Sequence, residues 1–455
     1  MLNQLHPLLL ALTVILNVSA ALHALLTKRE PASAFAWLLV CLIFPVIGPG
    51  IYFLFGINRV RTRAVKLRAG GLNPGQAEAA ESWNTHSDYP AVSGNQITPL
   101  INGEAAYPAM LAAINNATER LFLSSYIFDT DETGQQFIQA LSAAVERGVD
   151  VRVMLDGVGQ WYSRPRAGQL LRQAQVPTCT FLPPRLLPPS LHVNLRNHRK
   201  LLVVDGTKAF TGGINISHRH LLTTGGESAG VADVHFALSG PVVQQMERLF
   251  LQDWSFCSQQ LKPLQDISPP TTGVTRCRVI PDGPDQTLDA IIMVLIGAIS
   301  QAQQRILIMT PYFLPPRELL VALKSAALRG IKVDLLLPGK NNIRTVHWAC
   351  RHMLGELLTA GVQAHYQPSP FVHSKLFVMD DDYLLISSAN MDARSLRLNF
   401  ELAVECFDPA LAGQMADHIL HSKTRSEPIT QAQLEQRPPL IRLRDSLAWL
   451  ISPYL

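Results

Sequence analysis

The chain opens on its most apolar stretch. Residues 8–26, LLLALTVILNVSAALHALL, carry no Lys, Arg, Asp or Glu over about the length needed to cross a hydrocarbon core. A second apolar run follows at 34–55, AFAWLLVCLIFPVIGPGIYFLF. Its Pro45, Gly48, Pro49 and Gly50 would break a helix in water and are better tolerated in lipid. The linker between the runs, TKREPAS, is too short for a domain, so the pattern predicts a transmembrane helical hairpin over residues 1–58. No basic region precedes Leu8, which argues against a cleaved signal peptide. His23 lies near the loop end of the first run and is expected at the interface. Arg59, Arg61, Arg63, Lys66 and Arg68 follow the second run, against only Lys28, Arg29 and Glu30 in the linker. The positive-inside rule therefore places the residues after 56 in the cytoplasm, and the same cations suit anionic headgroups.

Residues 59–98 read as a basic juxtamembrane segment and a Gly-, Ala-, Ser- and Asn-rich linker. From there the pattern runs twice. FIQALSAAVERGVDVRVMLDG (137–157) and LLVALKSAALRGIKVDLLLPG (319–339) are each an amphipathic helix closed by Arg-Gly, then an apolar strand. Gly148 and Gly330 sit where a helix C-terminus wants a left-handed residue. Helix–strand alternation predicts an α/β fold: two α/β sandwich repeats, 99–265 and 275–425, each with a mixed sheet. In the tail, 426–455, Leu443, Leu447 and Leu450 recur at helical spacing beside Arg442 and Arg444. That helix is expected either in the membrane interface or docked on the preceding repeat.

Composition agrees with a partly lipid-embedded chain: 47% hydrophobic, 16% charged, net charge +4. Six scattered cysteines without a C-x-x-C pair predict free buried thiols in a reducing compartment, and no zinc site.

The chemistry lies in one spacing used twice. RNHRKLLVVDGTKAFTGGIN (196–215) gives His198, Lys200, Asp205, Gly212, Gly213 and Asn215; FVHSKLFVMDDDYLLISSAN (371–390) gives His373, Lys375, Asp380, Ser387, Ser388 and Asn390. Side chains two apart on an extended segment share a face, so each half presents an imidazole beside an ammonium. Brought together by a pseudo-two-fold axis, the halves predict a pocket rich in donors and positive charge, suited to a phosphate diester. A neutral imidazole can attack phosphorus while a second, protonated, one supplies the leaving alcohol with its proton. The lysines neutralise the five-coordinate state, so no metal or cofactor is required. The two Asn residues are expected to bind phosphate. Asp205 and Asp380 belong to the same catalytic motif but precede turns, and are read as fixing the strand ends.

This duplicated H-x-K-x4-D-x6-(G/S)-(G/S)-x-N pattern is similar to the phospholipase D superfamily. The twin apolar segments, TPYFLPP, LRNHRK and NMDARSLRLNFELAV make the chain resemble its bacterial cardiolipin synthases over almost the whole length. The resemblance implies transfer of a phosphatidyl group from one phosphatidylglycerol to another through a phosphohistidine, at a bacterial inner membrane. It makes His198 the nucleophile and His373 the acid/base. It also makes Asp233 and Glu401 the carboxylates that orient the imidazoles, although GVADVHFALS lacks the Trp usual before that aspartate. Partners are then phosphatidylglycerol and other anionic phospholipids. Hydrolysis to phosphatidic acid, or exchange with phosphatidylethanolamine, remain the neighbouring readings. A nuclease is disfavoured, because the repeats carry no basic run with interleaved aromatics.

Overall fold

The computed structural model describes residues 2–28, 31–56, 89–184, 195–222, 230–258, 269–284 and 289–452. The basic segment 59–68 lies outside them. Contacts divide the described residues into an N-terminal unit, 2–56, and a second unit made of those within 89–183 and 195–452.

In the first unit α1 (Leu2–Thr27) contains the apolar window Leu10–Thr27, long enough to span a bilayer. The second apolar run does not form one matching helix. It folds as α2 (Pro31–Ile43), a turn at 44–46, α3 (Ile47–Ile51) and a π-helical turn Tyr52–Gly56. A residue larger than Gly48 would strike the backbone of Val40, so the chain doubles back closely there. At 13 residues α2 is shorter than a bilayer span, and one described helix meets the length criterion. The two runs are nevertheless packed together. His23 Nδ1 and the Tyr52 hydroxyl lie 2.7 Å apart, and Lys28 Nζ donates to the Gly56 carbonyl at 2.6 Å. His23 is thus an interhelical partner.

The second unit is organised by a fifteen-stranded mixed sheet. From its middle the first half runs 92–101, 234–239, 208–212, 201–204, 120–125, 150–156 and 178–181. The second half runs 275–282, 401–407, 383–387, 376–379, 305–309, 332–338 and 363–367, with 427–429 at its edge. The two orders correspond strand for strand, and antiparallel pairing of Val92 with Cys277 and Asn95 with Thr275 joins them. Each half has a parallel portion (120–125 with 150–156; 305–309 with 332–338) and an antiparallel one. The predicted two-fold α/β repeat is therefore present, its two mixed sheets fused edge to edge.

The helices follow local rules. Asp131 caps Glu132–Glu146 by accepting the Gly134 N–H at 3.0 Å, and Gly148, at φ 88°, ends it. Gly330, at φ 90°, ends Arg317–Leu328 in the same way. Their apolar faces bury Phe137 and Leu141 in one core and Leu319 and Leu323 in the other. Each such side chain contributes about 1.5–3 kcal/mol by leaving water.

The cysteine expectation needs correction. Cys179, on the edge strand 178–181, is disulfide-bonded to Cys257 in the helix Val242–Ser258. Only Cys41, Cys277, Cys350 and Cys406 are free and buried. Seventy-eight residues separate the bonded pair, so the contact is created by that helix packing against the edge strand, which spacing could not reveal.

Candidate active site

Each histidine is carried by one half and anchored on the other. The segment ahead of strand 201–204 is extended, and Asn197 bridges to Phe400. His198 N–H donates to the Phe400 carbonyl at 2.9 Å, and Phe400 N–H donates to Arg196 at 2.8 Å. In the second half Phe371–Val372 pairs in parallel with Val231–Ala232, and His373 N–H donates to the Ala232 carbonyl at 2.8 Å.

The carboxylates cross over in the same way. His198 Nδ1 lies 3.0 Å from Glu401 Oε1, and His373 Nδ1 lies 2.9 Å from Asp233 Oδ2. A carboxylate at Nδ1 holds the proton there and leaves Nε2 as the free, basic nitrogen. The motif's small residues make room for this. A Cβ on Gly213 would sit 2.3 Å from Asp233 Oδ1, so only glycine admits that carboxylate. At the equivalent position Ser388 Oγ instead donates to Glu401 Oε2 at 2.5 Å, and Asn399 Nδ2 donates to Oε1 at 3.1 Å. Gly213 and Ser388 thus serve the orienting carboxylates, whereas a Cβ on Gly212 would meet the Val234 carbonyl and Ser387 Oγ accepts the Ala389 N–H.

All of these groups are buried, and burial sets their charge. Desolvation lowers His198 below the usual imidazole range; Glu401 opposes this and Lys200 adds to it. His373 falls to about 3, from burial and the adjacent Lys375, with Asp233 pulling the other way. Burial also brings Lys200 down to about 8 and Lys375 to about 7. Asp233 stays ionised, because His373 and Lys375 outweigh the burial that would raise it. His198 feels Lys375 and His373 feels Lys200, so the two half-sites form one electrostatic unit.

Lys200 Nζ donates to the His198 carbonyl at 2.8 Å and stands over the Tyr126 ring, 5.6 Å from its centroid. Lys375 Nζ lies 3.0 Å from His373 Nδ1. Asn215 accepts the Ile127 N–H at 3.3 Å, and Asn390 donates to Ser395 Oγ at 3.2 Å with its buried Oδ1 unpartnered. Asp205 and Asp380 do not join the imidazoles. Asp205 accepts the N–H groups of Thr118, Glu119 and Arg120 at 2.8–3.0 Å, and Asp380 those of Gln303, Gln304 and Arg305 at 2.7–2.9 Å. Both pin the start of the strand beside their own motif.

Two neighbours flank the imidazoles: Tyr126, which the sequence places at a strand end to pack or line a lipid channel, and His220, which sequence reasoning passed over. Tyr126 packs edge-on against His198 at 4.9 Å between centroids. The buried His220 lies 6.4 Å from His373, is held neutral by burial at about 4, and accepts the Asn215 N–H at 3.3 Å. Its register was the available signal, since His220 stands five residues after Asn215 as Ser395 does after Asn390. Arg199 was also missed, although alternation sends it away from His198. Its guanidinium bonds both Asp253 oxygens at 2.5 Å, the Glu401 carbonyl at 2.8 Å and the Asp282 carbonyl at 3.1 Å.

A family model described as "Cardiolipin synthase, PLD-like domain" matches residues 110–254 and 295–422, and one described as "Phospholipase_D-nuclease N-terminal" matches 15–56. The chain belongs to the phospholipase D-like cardiolipin synthase family. A cardiolipin synthase of Geobacillus thermodenitrificans is 33% identical over 94% of this chain and 90% of the relative. The major cardiolipin synthase of Bacillus subtilis is 31% identical over 99% and 100%. Cardiolipin synthase A of Pseudomonas putida is 33% identical over 98% of each. Phosphatidylserine synthase of Haemophilus influenzae shares the fold, with TM-score 0.61 over 79% of this chain and 95% of that one, at 16% identity. Membership in the family agrees with the duplicated site and with the apolar N-terminal helix.

Proposed function

We propose that this chain is a cardiolipin synthase that moves a phosphatidyl group between two phosphatidylglycerol molecules. The observation that carries the reading is the crossed pair of His–carboxylate couples with two buried lysines in one site. His198 Nε2 attacks the phosphorus of the donor. The P–O bond to the glycerol headgroup breaks, and His373 gives that oxygen a proton. A second phosphatidylglycerol then loses its terminal hydroxyl proton to His373 and attacks the phosphohistidine, releasing His198 and cardiolipin. Lys200 and Lys375 neutralise the equatorial oxygens throughout. Burial keeps His373 neutral in the empty site. An arriving diester anion favours its protonated form, so substrate and acid arrive together. Asn215 and Asn390 add amide donors, and Asp233 and Glu401 hold the rings. Residues 99–265 and 275–425 act as the two domains of one site. We read the apolar N-terminus as a membrane hairpin, and the basic run after it supports a cytoplasmic position for those domains.

The same intermediate met by water gives phosphatidic acid, and the test separates the two. Full-length protein in mixed micelles with phosphatidylglycerol alone is expected to yield cardiolipin and equimolar glycerol by mass spectrometry. Phosphatidic acid without cardiolipin assigns hydrolysis instead. His198→Ala and His373→Ala should each abolish both products, and full activity in either sinks the mechanism.

A further inference from the structure

Rigid, solvent-facing apolar side chains beside a buried polar site call for a cause. Residues 157–166 follow strand 150–156, and residues 339–344 follow the equivalent strand 332–338. Trp161 stands four residues after Gly157, and Ile343 four residues after Gly339. Trp161 is 53% exposed, Tyr162 63% and Ile343 42%. Both segments reach the site through aromatic contacts. Tyr162 lies 6.2 Å from Tyr126, which packs on His198. Asn342 accepts the Tyr312 hydroxyl at 2.7 Å; Tyr312 lies 6.3 Å from Phe371, and Phe371 lies 6.1 Å from His373.

Neither segment is a loose loop. Asp156 Oδ1 accepts the N–H groups of Val158 and Gly159 at 2.9 Å, and Gly159 packs so tightly on the Tyr126 carbonyl that no Cβ fits. Thr130 Oγ1 donates to the Pro165 carbonyl at 3.0 Å. Asn341 donates to Pro311 at 3.1 Å and accepts the Ile343 N–H at 2.9 Å. The exposure is therefore built in. Within the segments the formal charge is of one sign: 157–166 holds Arg164 and Arg166, and 339–344 holds Lys340 and Arg344, with no Asp or Glu in either, while Asp129 and Asp131 flank the Thr130 bonded to the first. Arg164, Arg166, Lys340 and Arg344 are exposed, and the Arg166 guanidinium lies 5.9 Å from the Trp161 ring centroid.

We propose that these two segments form one docking surface for an anionic bilayer, seating the mouth of the site at the headgroup level. The proposal rests on the phosphatidyl-transfer reading above. Trp and Tyr settle at the boundary between headgroups and acyl chains, and arginines pair with lipid phosphates. A bilayer is the occupant that the substrate itself demands, because a phospholipid must bring its phosphate to His198 without its acyl chains crossing water.

Full-length protein tests this with two substrates: dihexanoyl phosphatidylglycerol below its micelle concentration, and long-chain phosphatidylglycerol at varied mole fraction in mixed micelles. Trp161→Ala/Ile343→Asn and Arg164→Gln/Arg166→Gln should each raise the mole-fraction KM about tenfold, since each apolar or basic contact with the surface contributes to its affinity. Turnover of the monomeric substrate should stay within twofold of wild type, and Trp161→Phe should keep most of the micelle activity. Brominated acyl chains should quench wild-type fluorescence more than that of Trp161→Phe. An unchanged mole-fraction KM, an equal loss on the monomeric substrate, or an altered oligomeric state in its place overturns the proposal. Wild type making no cardiolipin from either substrate would instead overturn the function reading.

Discussion

At the scale of single residues the site is governed by which groups burial leaves charged. Lys375 and Lys200 are brought to about 7 and about 8, so both are ammonium ions at pH 6 and lose protons across the next two units. The charge they lose is the charge that attracts the diester, so kcat/KM should fall as pH rises through about 7–8. Burial shifts His198 downward, which favours its neutral, nucleophilic form. A bound phosphate holds the lysines protonated, so the fall in kcat should come at higher pH than the fall in kcat/KM. Initial rates between pH 5 and 9 check this, and a kcat/KM flat over that range would remove the lysines from the charge balance. Gly213 offers a second test. Gly213→Ala places a methyl 2.3 Å from Asp233 Oδ1, where the carboxylate must shift and carry His373 with it. A displacement near 1 Å at a reacting group costs about 10²-fold in kcat, with KM and the melting temperature little changed. Ser388→Gly opens space and should cost less.

At the scale of elements, the repeat was legible because helix and strand periods recur with the same caps, and the crossing of the half-sites was not. Asp205 and Asp380 illustrate the first point: each reads as a turn residue, and each bonds three backbone N–H groups. Asp233 and Glu401 reached the reading only through family resemblance, because partners lying 140 and 203 residues from their histidines leave no local pattern. Arg199 shows what such crossings require. It lies on the face of its segment opposite His198 and ties it to Asp253 and to the carbonyls of Asp282 and Glu401. Removing one member of a buried, hydrogen-bonded pair typically costs about 3–5 kcal/mol, because the other charge is left in the interior. Arg199→Ala and Asp253→Ala should each lower stability in denaturant by that order, and the double variant should cost less than the sum. Additive losses would mean that Arg199 and Asp253 do not act as one buried pair behind His198.

At the scale of the whole molecule, two features give opposite answers about which side of the membrane the sheet occupies. Arg59, Arg61, Arg63, Lys66 and Arg68 follow the apolar N-terminus and favour the cytoplasm. The Cys179–Cys257 bond belongs to an oxidising compartment, since cytosolic thiols are kept reduced. The second apolar run bears on the choice, because α2, broken from α3 at 44–46, is too short to cross by itself. If the run re-enters rather than crosses, the chain after it emerges on the other side. Counting thiols decides the question. Cells are quenched in acid, and the denatured protein is treated with a maleimide and weighed. The cytoplasmic placement proposed above predicts six labelled cysteines, with 179 and 257 reduced where they meet. Four labelled cysteines, rising to six only after reductant, would place the sheet on the oxidising side. The donor and acceptor lipids would then be drawn from that leaflet. Cys257→Ser separates the bond's structural contribution from its meaning for topology: on the reducing side it should leave stability nearly unchanged, whereas loss of a formed cross-link would cost about 2–5 kcal/mol.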